Sequence, residues 1–336
     1  MELPMFNYKQ AGSLEEAGQL LREYQGRARP LAGGTELLPR MKYGLDKPEV
    51  LIGIKGVSYR PPRITSEGRL SLDALITLDA MRQSPELGEK LPVLTDAARA
   101  VASKEIRVMG TLGGNICQDS RCLYYNQSHR YQFVEPCFKR GGNLCYFIPK
   151  GSRCWAVYMA DTAPALMSLD ANVIIYDGVK ERTLPLEELY RNDPLQPLSL
   201  VPGELLSRIS ITGAHAKVAG AYRKFTMRGA LEFAAVGVAV TLELEPGSYV
   251  CRKARIVVGA VGPTPVRGKE TEKLLTGETL KDGLLAEAAG RLAAEIRVVP
   301  HHGYSAQYLK AVIKSIGKEA LSKALERGTG GQRKGK

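Results

Sequence analysis

Two glycine turns, each set where an apolar run gives way to a helix, limit the architecture of this chain more than any other feature. In "PLAGGTELLP" the pair Gly33 and Gly34 separates a short apolar run from a helix start and is followed by Thr35. In "RVMGTLGGNI" a second turn of the same kind holds Gly110, Thr111, Gly113, Gly114 and Asn115. Glycines at such a turn let the backbone approach an anion closely, and the dipole of the following helix favours negative charge there. Either turn alone points no further than a chain reversal. The two together point to a large ligand carrying a diphosphate, a dinucleotide held between them. Neither is G-x-G-x-x-G nor a Walker A sequence, which disfavours Rossmann and P-loop folds.

The surrounding pattern gives the organisation. "SLEEAGQLLREYQ" predicts a helix opened by a capping box of Ser13 and Glu16. With "ARPLA" (28–32) and "EVLIGI" (49–54) as strands, the start reads as a βαβ-like unit. "GRLSLDALITLDAMRQSPEL" gives short strands and a helix, and "LPVLTDAARAVAS" (91–103) a helix. "APALMSLDANVIIYDGVKERTLPLEELY" predicts a helix, a strand and a two-residue hairpin turn at Asp177 and Gly178. The first domain is expected to end near residue 214. Beyond Lys217 two long strands, "FAAVGVAVTLELE" and "YVCRKARIVVGAVG", precede two amphipathic helices, "LKDGLLAEAAGRLAAEI" and "SAQYLKAVIKSIGKEALSKALER". Strands then helices in separate blocks predict an α+β second domain.

A chain of 336 residues fits two domains. The net charge of +12 suggests an acidic partner, but Lys and Arg alternate with Glu and Asp, so nucleic acid is disfavoured. The densest basic run, "RGTGGQRKGK", reads as a disordered, solvated tail over 326–336. No apolar run approaches the roughly 20 residues that span a bilayer, and "MELPMFNYKQ" is not a signal peptide; a cytoplasmic location without membrane is expected.

Five of the six cysteines, Cys117, Cys122, Cys137, Cys145 and Cys154, crowd into one aromatic, basic stretch from Asn115 to Trp155. Disulfides are disfavoured in a cytoplasmic chain. A structural zinc site needs four thiolates, usually as paired C-x2-C knuckles, and the spacing here is C-x4-C-x14-C-x7-C-x8-C. An iron–sulfur cluster also takes four thiolates and tolerates wide loops, although the common ferredoxin spacings are missing. Spacing alone leaves zinc and iron–sulfur open. His129 lies in the same stretch as a further candidate ligand; His301 and His302 read as surface or capping residues.

"AGGTELL", "IRVMGTLGGN", "DTAPALMSLDA" and "YRKFTMRGALEFAAVGVAV", in that order, resemble the FAD-binding medium subunits of the xanthine dehydrogenase and carbon monoxide dehydrogenase family of molybdenum hydroxylases. The resemblance implies an α+β fold: a two-part FAD-binding domain of the vanillyl-alcohol-oxidase (PCMH) type over 1–214, then an α+β C-terminal domain over 215–325 with a three-stranded sheet and helices. It places FAD against Arg29, Pro30, Leu31, Ala32, Gly33, Gly34, Thr35 and Glu36, against Thr111, Gly113, Gly114 and Asn115, and against Val101, Asp161, Leu205 and Lys224. Without it, Asp161 reads as a helix cap, Leu205 as core and Lys224 as a solvated strand lysine.

In ordinary members of that family the Asn and the Asp lie close together, whereas here the cysteine stretch separates Asn115 from Asp161, so residues of about 116–157 read as an insertion. A loop of this kind is similar to that of the 4-hydroxybenzoyl-CoA reductase branch, and by that comparison Cys122, Cys137, Cys145 and Cys154 hold a 4Fe-4S cluster. Cys117 is left out; it and Cys251 read as buried small apolar residues. Arg121, Arg130, Lys139, Arg140, Lys150 and Arg153 either offset the cluster's charge or form a solvated basic surface. The implied chain is an electron-transfer subunit in a dimer of heterotrimers, a heterohexamer. Its implied partners are a large molybdopterin subunit, a small 2Fe-2S subunit and a ferredoxin-like carrier, and the reaction is reductive removal of a phenolic hydroxyl from an aromatic CoA thioester. Two alternatives stand: the FAD subunit of another molybdenum hydroxylase, acting on a purine, N-heterocycle or aldehyde, and a flavin-free binding or assembly protein with a zinc-stabilised loop.

Overall fold

The computed structural model describes residues 2–127, 135–213, 218–229 and 231–330. His129, Arg130, the expected boundary near 214 and residues 331–336 lie outside the described residues.

The first unit is the expected βαβ pattern. β1 (Asn7–Gln10), α1 (Leu14–Glu23), β2 (Ala28–Leu31), α2 (Leu37–Lys42) and β3 (Val50–Gly53) form a parallel sheet in the order β1-β3-β2. The central strand, VLIG, is buried along its whole length, as a strand flanked on both sides in a parallel sheet should be. At α1 the Ser13 hydroxyl accepts the Glu16 N–H at 3.1 Å. The return bond comes from Gly12 N–H to the Glu16 carboxylate at 2.7 Å, one residue earlier than in the usual capping box.

The second unit holds β4 (Arg63–Ile64), β5 (Leu70–Asp73) and the helices α3 (Leu78–Gln83), α4 (Pro85–Lys90), α5 (Pro92–Ala100), α6 (Lys104–Met109) and α7 (Leu112–Ile116). After the cysteine stretch come α8 (Thr162–Met167), β6 (Asn172–Tyr176), β7 (Glu181–Pro185), α9 (Leu186–Leu189) and β8 (Leu205–Ile211). The five strands pair antiparallel in the order β4-β5-β8-β6-β7. β8 alternates buried and half-buried residues, so one sheet face, with Leu72, Val173 and Ile209, packs on Leu94, Ala97 and Leu166 of the helices. At the β6–β7 reversal Asp177 N–H donates to the Lys180 carbonyl at 3.2 Å, so the two-residue loop is Gly178 and Val179, one position later than expected, and the Asp177 carboxylate accepts the N–H groups of Val179 and Lys180 at 2.8 Å.

The third unit contains β9 (Ala219–Phe225), β10 (Val236–Leu244), β11 (Cys251–Gly259), β12 (Val266–Arg267), α10 (Lys269–Leu275), α11 (Asp282–Glu295) and α12 (Ala306–Gly328). Its antiparallel sheet, β12-β11-β10-β9, has four strands instead of three, since Val266 and Arg267 pair with Val258 and Val257. Val238, Val240, Ile256 and Val258 lie in the core beneath the helices, while Tyr222, Ala239 and Val257, on the other face, join the core of the second unit. The expected tail is helical at its start: α12 runs to Gly328, Leu325 is buried, and Arg327 donates to Asp96 at 2.6 and 3.1 Å. No helix among the described residues is long and apolar enough to cross a membrane.

The cysteine stretch leaves the second unit after α7 and returns before α8. Arg121 and Val157 close its base with reciprocal backbone bonds of 2.7 and 2.8 Å. Its regular structure among the described residues is a single helical turn at Phe138–Arg140.

Candidate functional site

β2 delivers the first glycine turn into α2. Among the described residues, none of the backbone N–H groups from Ala32 to Glu36 donates within the protein. Five successive amides without an acceptor at a strand-to-helix turn form an anion nest. A β-carbon on Gly33 would run into the Met109 carbonyl, so the first turn lies directly on the entrance to the second, and Gly34 sits at φ +72°.

The second turn differs. Gly114 N–H donates to the Thr111 hydroxyl at 3.1 Å, and Asn115 N–H to the Thr111 carbonyl at 2.9 Å. Leu112 and Gly113 donate to the carbonyls of Ile76 and Ala74 at 2.9 and 2.8 Å. Apart from that of Thr111, its amides are spent within the protein, so it does not offer an anion the run of free N–H groups that the first turn does. It is a buttress for the first turn, with Gly113 packed on Ala74 and only Gly114 exposed.

The insertion does not separate the residues on either side of it. Asn115 Oδ1 accepts the Thr162 hydroxyl at 2.6 Å and the Thr162 N–H at 3.3 Å, which brings Asp161 beside the second turn. Asp161 occupies the cap position of α8 but makes no capping bond. Its carboxylate accepts the Tyr222 hydroxyl at 2.7 Å and Lys224 Nζ at 3.0 Å. Burial pushes the Asp161 carboxyl up, against the pull of Lys224 and Tyr222. Lys224 is half-buried, its side chain only 9% exposed, and also donates to the Ala100 carbonyl at 2.9 Å, next to Val101. Tyr222 escaped the sequence reading, although on β9 it lies two residues from Lys224 and therefore shares its face.

The remaining predicted residues disperse. Arg29 Nη1 donates to the carbonyls of Gly26 and Ala28 at 2.8 and 3.1 Å. Pro30 and Leu31 extend β2 beside Ile52 and Gly53. Leu205 is core, packed with Ala28, Ile52 and Leu75. Glu36 pairs with Arg121 of the insertion, whose guanidinium lies 3.7 Å from the Phe233 ring centre, and the other Glu36 oxygen is buried without a partner. His301 is buried, not on the surface, with its ring nitrogens 2.8 and 2.9 Å from the carbonyls of Val299 and Ala235. A groove of about 700 Å³ bordered by Asp170, Arg252 and Lys253 involves none of the predicted residues.

Cys122, Cys137, Cys145 and Cys154 face one small cavity of about 20 Å³, walled by Tyr125, Phe138, Phe147 and Trp155. All the cysteines are unpaired. Ile148 N–H points at the Cys145 sulfur and Ala156 N–H at the Cys154 sulfur, both at 3.4 Å, a pattern that suits thiolates. Burial pushes the Cys154 thiol up to about 11 and raises that of Cys122. Among the described residues no three His, Cys, Asp or Glu side chains converge on a single metal ion. A zinc ion would draw four sulfurs to about 3.8 Å from each other, whereas a cluster of four irons holds its thiolates farther apart, around a larger core. Cys117 lies outside the cavity, and burial raises its thiol to about 12.

Basic residues tie this cavity to α2. Arg40 Nη1 donates to Asp119 at 2.7 Å and Nη2 to the Tyr125 hydroxyl at 3.1 Å. Lys139 Nζ donates to the other Asp119 oxygen at 2.8 Å. Burial works against the Arg40 charge, and Asp119 and Asp46 more than restore it.

Comparison with known proteins agrees with this geometry. The chain matches the family described as FAD binding domain in molybdopterin dehydrogenase over residues 4–211, and the CO dehydrogenase flavoprotein C-terminal domain over 220–324. It is 29% identical to subunit alpha of the 6-hydroxypseudooxynicotine dehydrogenase complex of Paenarthrobacter nicotinovorans, covering 97% of each chain. It is 30% identical to the FAD-binding subunit of an Escherichia coli aldehyde oxidoreductase, covering 84% of this chain and 90% of that one. Its fold matches a chain of the Cu,Mo-CO dehydrogenase, cyanide-inactivated form, with a TM-score of 0.78 at 24% identity, covering 97% of this chain and 100% of that chain.

Proposed function

The chain belongs to the FAD-binding medium subunits of the xanthine and carbon monoxide dehydrogenase family of molybdenum hydroxylases, and on that premise we propose that it is the electron-transfer flavin and iron–sulfur subunit of a molybdenum-containing reductase of the 4-hydroxybenzoyl-CoA reductase type. The observation that carries this reading is the meeting of Cys122, Cys137, Cys145 and Cys154 on one cavity, with Cys117 left outside. The implied setting is cytoplasmic, with a ferredoxin-like donor and large molybdopterin and small 2Fe-2S partner subunits in a dimer of heterotrimers.

The residues fit both groups. The free amides of Ala32 to Glu36 suit the diphosphate of FAD, and the missing side chain of Gly33 lets the turns close on one another. Asn115, Val101, Asp161 and Lys224 form the adjoining wall, where Asp161 holds the Lys224 ammonium in a fixed place away from water. Cys122, Cys137, Cys145 and Cys154 would hold the cluster, with Lys139 on the cavity wall to offset its negative charge. When bound, FAD exchanges electrons in pairs or singly and a 4Fe-4S cluster exchanges them singly, so together they join one-electron and two-electron partners. This chain's own task is to bind both groups, orient them and exclude water from the Asp161–Lys224 pair.

A second reading, the flavin subunit of an aldehyde-oxidising molybdenum enzyme, draws support from the 30% identity to the E. coli aldehyde oxidoreductase subunit. Anaerobic purification of the native complex, with flavin, iron, sulfide and molybdenum analysis, tests what the two readings share. Activity on aromatic CoA thioesters against aldehydes separates them. A preparation with FAD and about four irons on this chain is expected, whereas a zinc-loaded or iron-free chain refutes the cluster.

A further inference from the structure

Asp119 stands between the two sites. One of its oxygens accepts Arg40 Nη1 at 2.7 Å and the other accepts Lys139 Nζ at 2.8 Å. Arg40 belongs to α2, the helix entered from the free amides of Ala32 to Glu36. Its remaining donors go to Asp46 at 2.5 Å and to the Tyr125 hydroxyl at 3.1 Å. Lys139 lies two residues after Cys137, and its side chain is only 4% exposed. Its other bonds go to the Ser120 hydroxyl at 2.9 Å and the Pro194 carbonyl at 2.5 Å. Tyr125 and Lys139 both line the thiol cavity. Asp119 thus joins the helix of the cradle to the wall of the cavity through Lys139, beside the direct Arg40–Tyr125 bond and the Glu36–Arg121 pair. Lys139 has all three donors engaged, so neither cation can leave Asp119 without stranding a half-buried charge.

We propose that occupation of the thiol cavity and occupation of the glycine cradle are thermodynamically coupled through Asp119, each raising the affinity for the other. The proposal rests on the iron–sulfur reading. Anchoring Cys137 fixes the turn Phe138–Arg140 and with it Lys139; Lys139 fixes Asp119, and Asp119 holds Arg40 and the first turn of α2. A segment ordered by one ligand no longer has to be ordered by the next, and linkage makes the effect reciprocal.

The test uses the full chain, prepared anaerobically. Iron is assayed, removed by chelation and restored with ferrous iron and sulfide, and FAD binding is followed by quenching of flavin fluorescence in the loaded and stripped forms. FAD is expected to bind roughly fivefold or more tightly to the loaded form. In Asp119→Asn that ratio should fall to about one, whereas a merely structural defect shifts both constants and leaves their ratio alone. Should Asp119→Asn fail to fold, Arg40→Gln serves, since it keeps the four thiols and the Asp119–Lys139 pair and removes only the bonds that Arg40 makes, that to Tyr125 included. Equal FAD affinity in loaded and stripped native protein overturns the coupling, and a ratio that survives Asp119→Asn or Arg40→Gln overturns its route. A chain that takes up no iron refutes the cluster itself, which the iron assay shows before any FAD is added, and the coupling falls with it.

Discussion

In the cradle the donors are backbone amides, carried between β2 and α2 and shaped by the lack of a side chain at Gly33. In the cavity the donors are four side-chain sulfurs, carried by an irregular segment with one helical turn. The register of β2 against the fully buried β3 and the contact of Gly33 with Met109 place the amides whether or not an anion is present. The sulfurs are held by less regular structure, the Cys137–Leu144 bridge and turns closed on the Cys122 and Cys137 carbonyls, and burial raises the thiols of Cys122 and Cys154. On the proposed function the cradle is preformed, while the cavity would be completed by its ligand.

The sharpest way to break that contrast is at the cradle. Gly33→Val forces a side chain into the Met109 carbonyl and should abolish flavin binding, a loss of roughly a hundredfold or more in affinity, while iron content stays close to native. Flavin titration beside iron analysis checks it, and retention of flavin means the turn is more plastic than its packing implies. Cys145→Ser is the mirror image: the cluster signal should vanish from the spectrum of the reduced protein, with flavin still bound, though more weakly if the coupling through Asp119 holds. Next in size, Lys224→Met leaves Asp161 buried without its cation and should cost about 3–5 kcal/mol in urea unfolding. Smallest of all, Cys117→Ala should cost about 1 kcal/mol and leave iron and flavin unchanged; loss of iron here shows that the fourth ligand was assigned to the wrong residue.

Regular elements were legible in the sequence where periodicity or capping was strong. Ser13 with Glu16 announces α1, the run VLIG announces a buried strand, and FAAVGVAV announces an inner strand of the last sheet. The short α10 was not, because KETEKLL carries little apolar periodicity and is held by tertiary bonds, Glu272 accepting the Ile256 N–H at 2.9 Å and pairing with Arg267 at 2.6 Å. The tail misled by composition: Gly and Lys suggested disorder, yet the Arg327–Asp96 pair and buried Leu325 hold the helix to Gly328. At the site, resemblance supplied Asp161 and Lys224, but neither their pairing nor the Tyr222 bond has a local signature. Asp119 lies far in sequence from Arg40, and no pattern of spacing reveals that they touch.

The reciprocal bonds between Arg121 and Val157 make the cysteine stretch portable. Its entry and exit meet at one paired base, so changing its length leaves the backbone on either side in place, and loop-closure entropy grows only slowly with the length enclosed. Asn115 already reaches Thr162 across that base. The length between these two residues can therefore change without parting Asn115 from Thr162, at the expense of the Glu36–Arg121 and Arg40–Asp119 contacts that the stretch supplies.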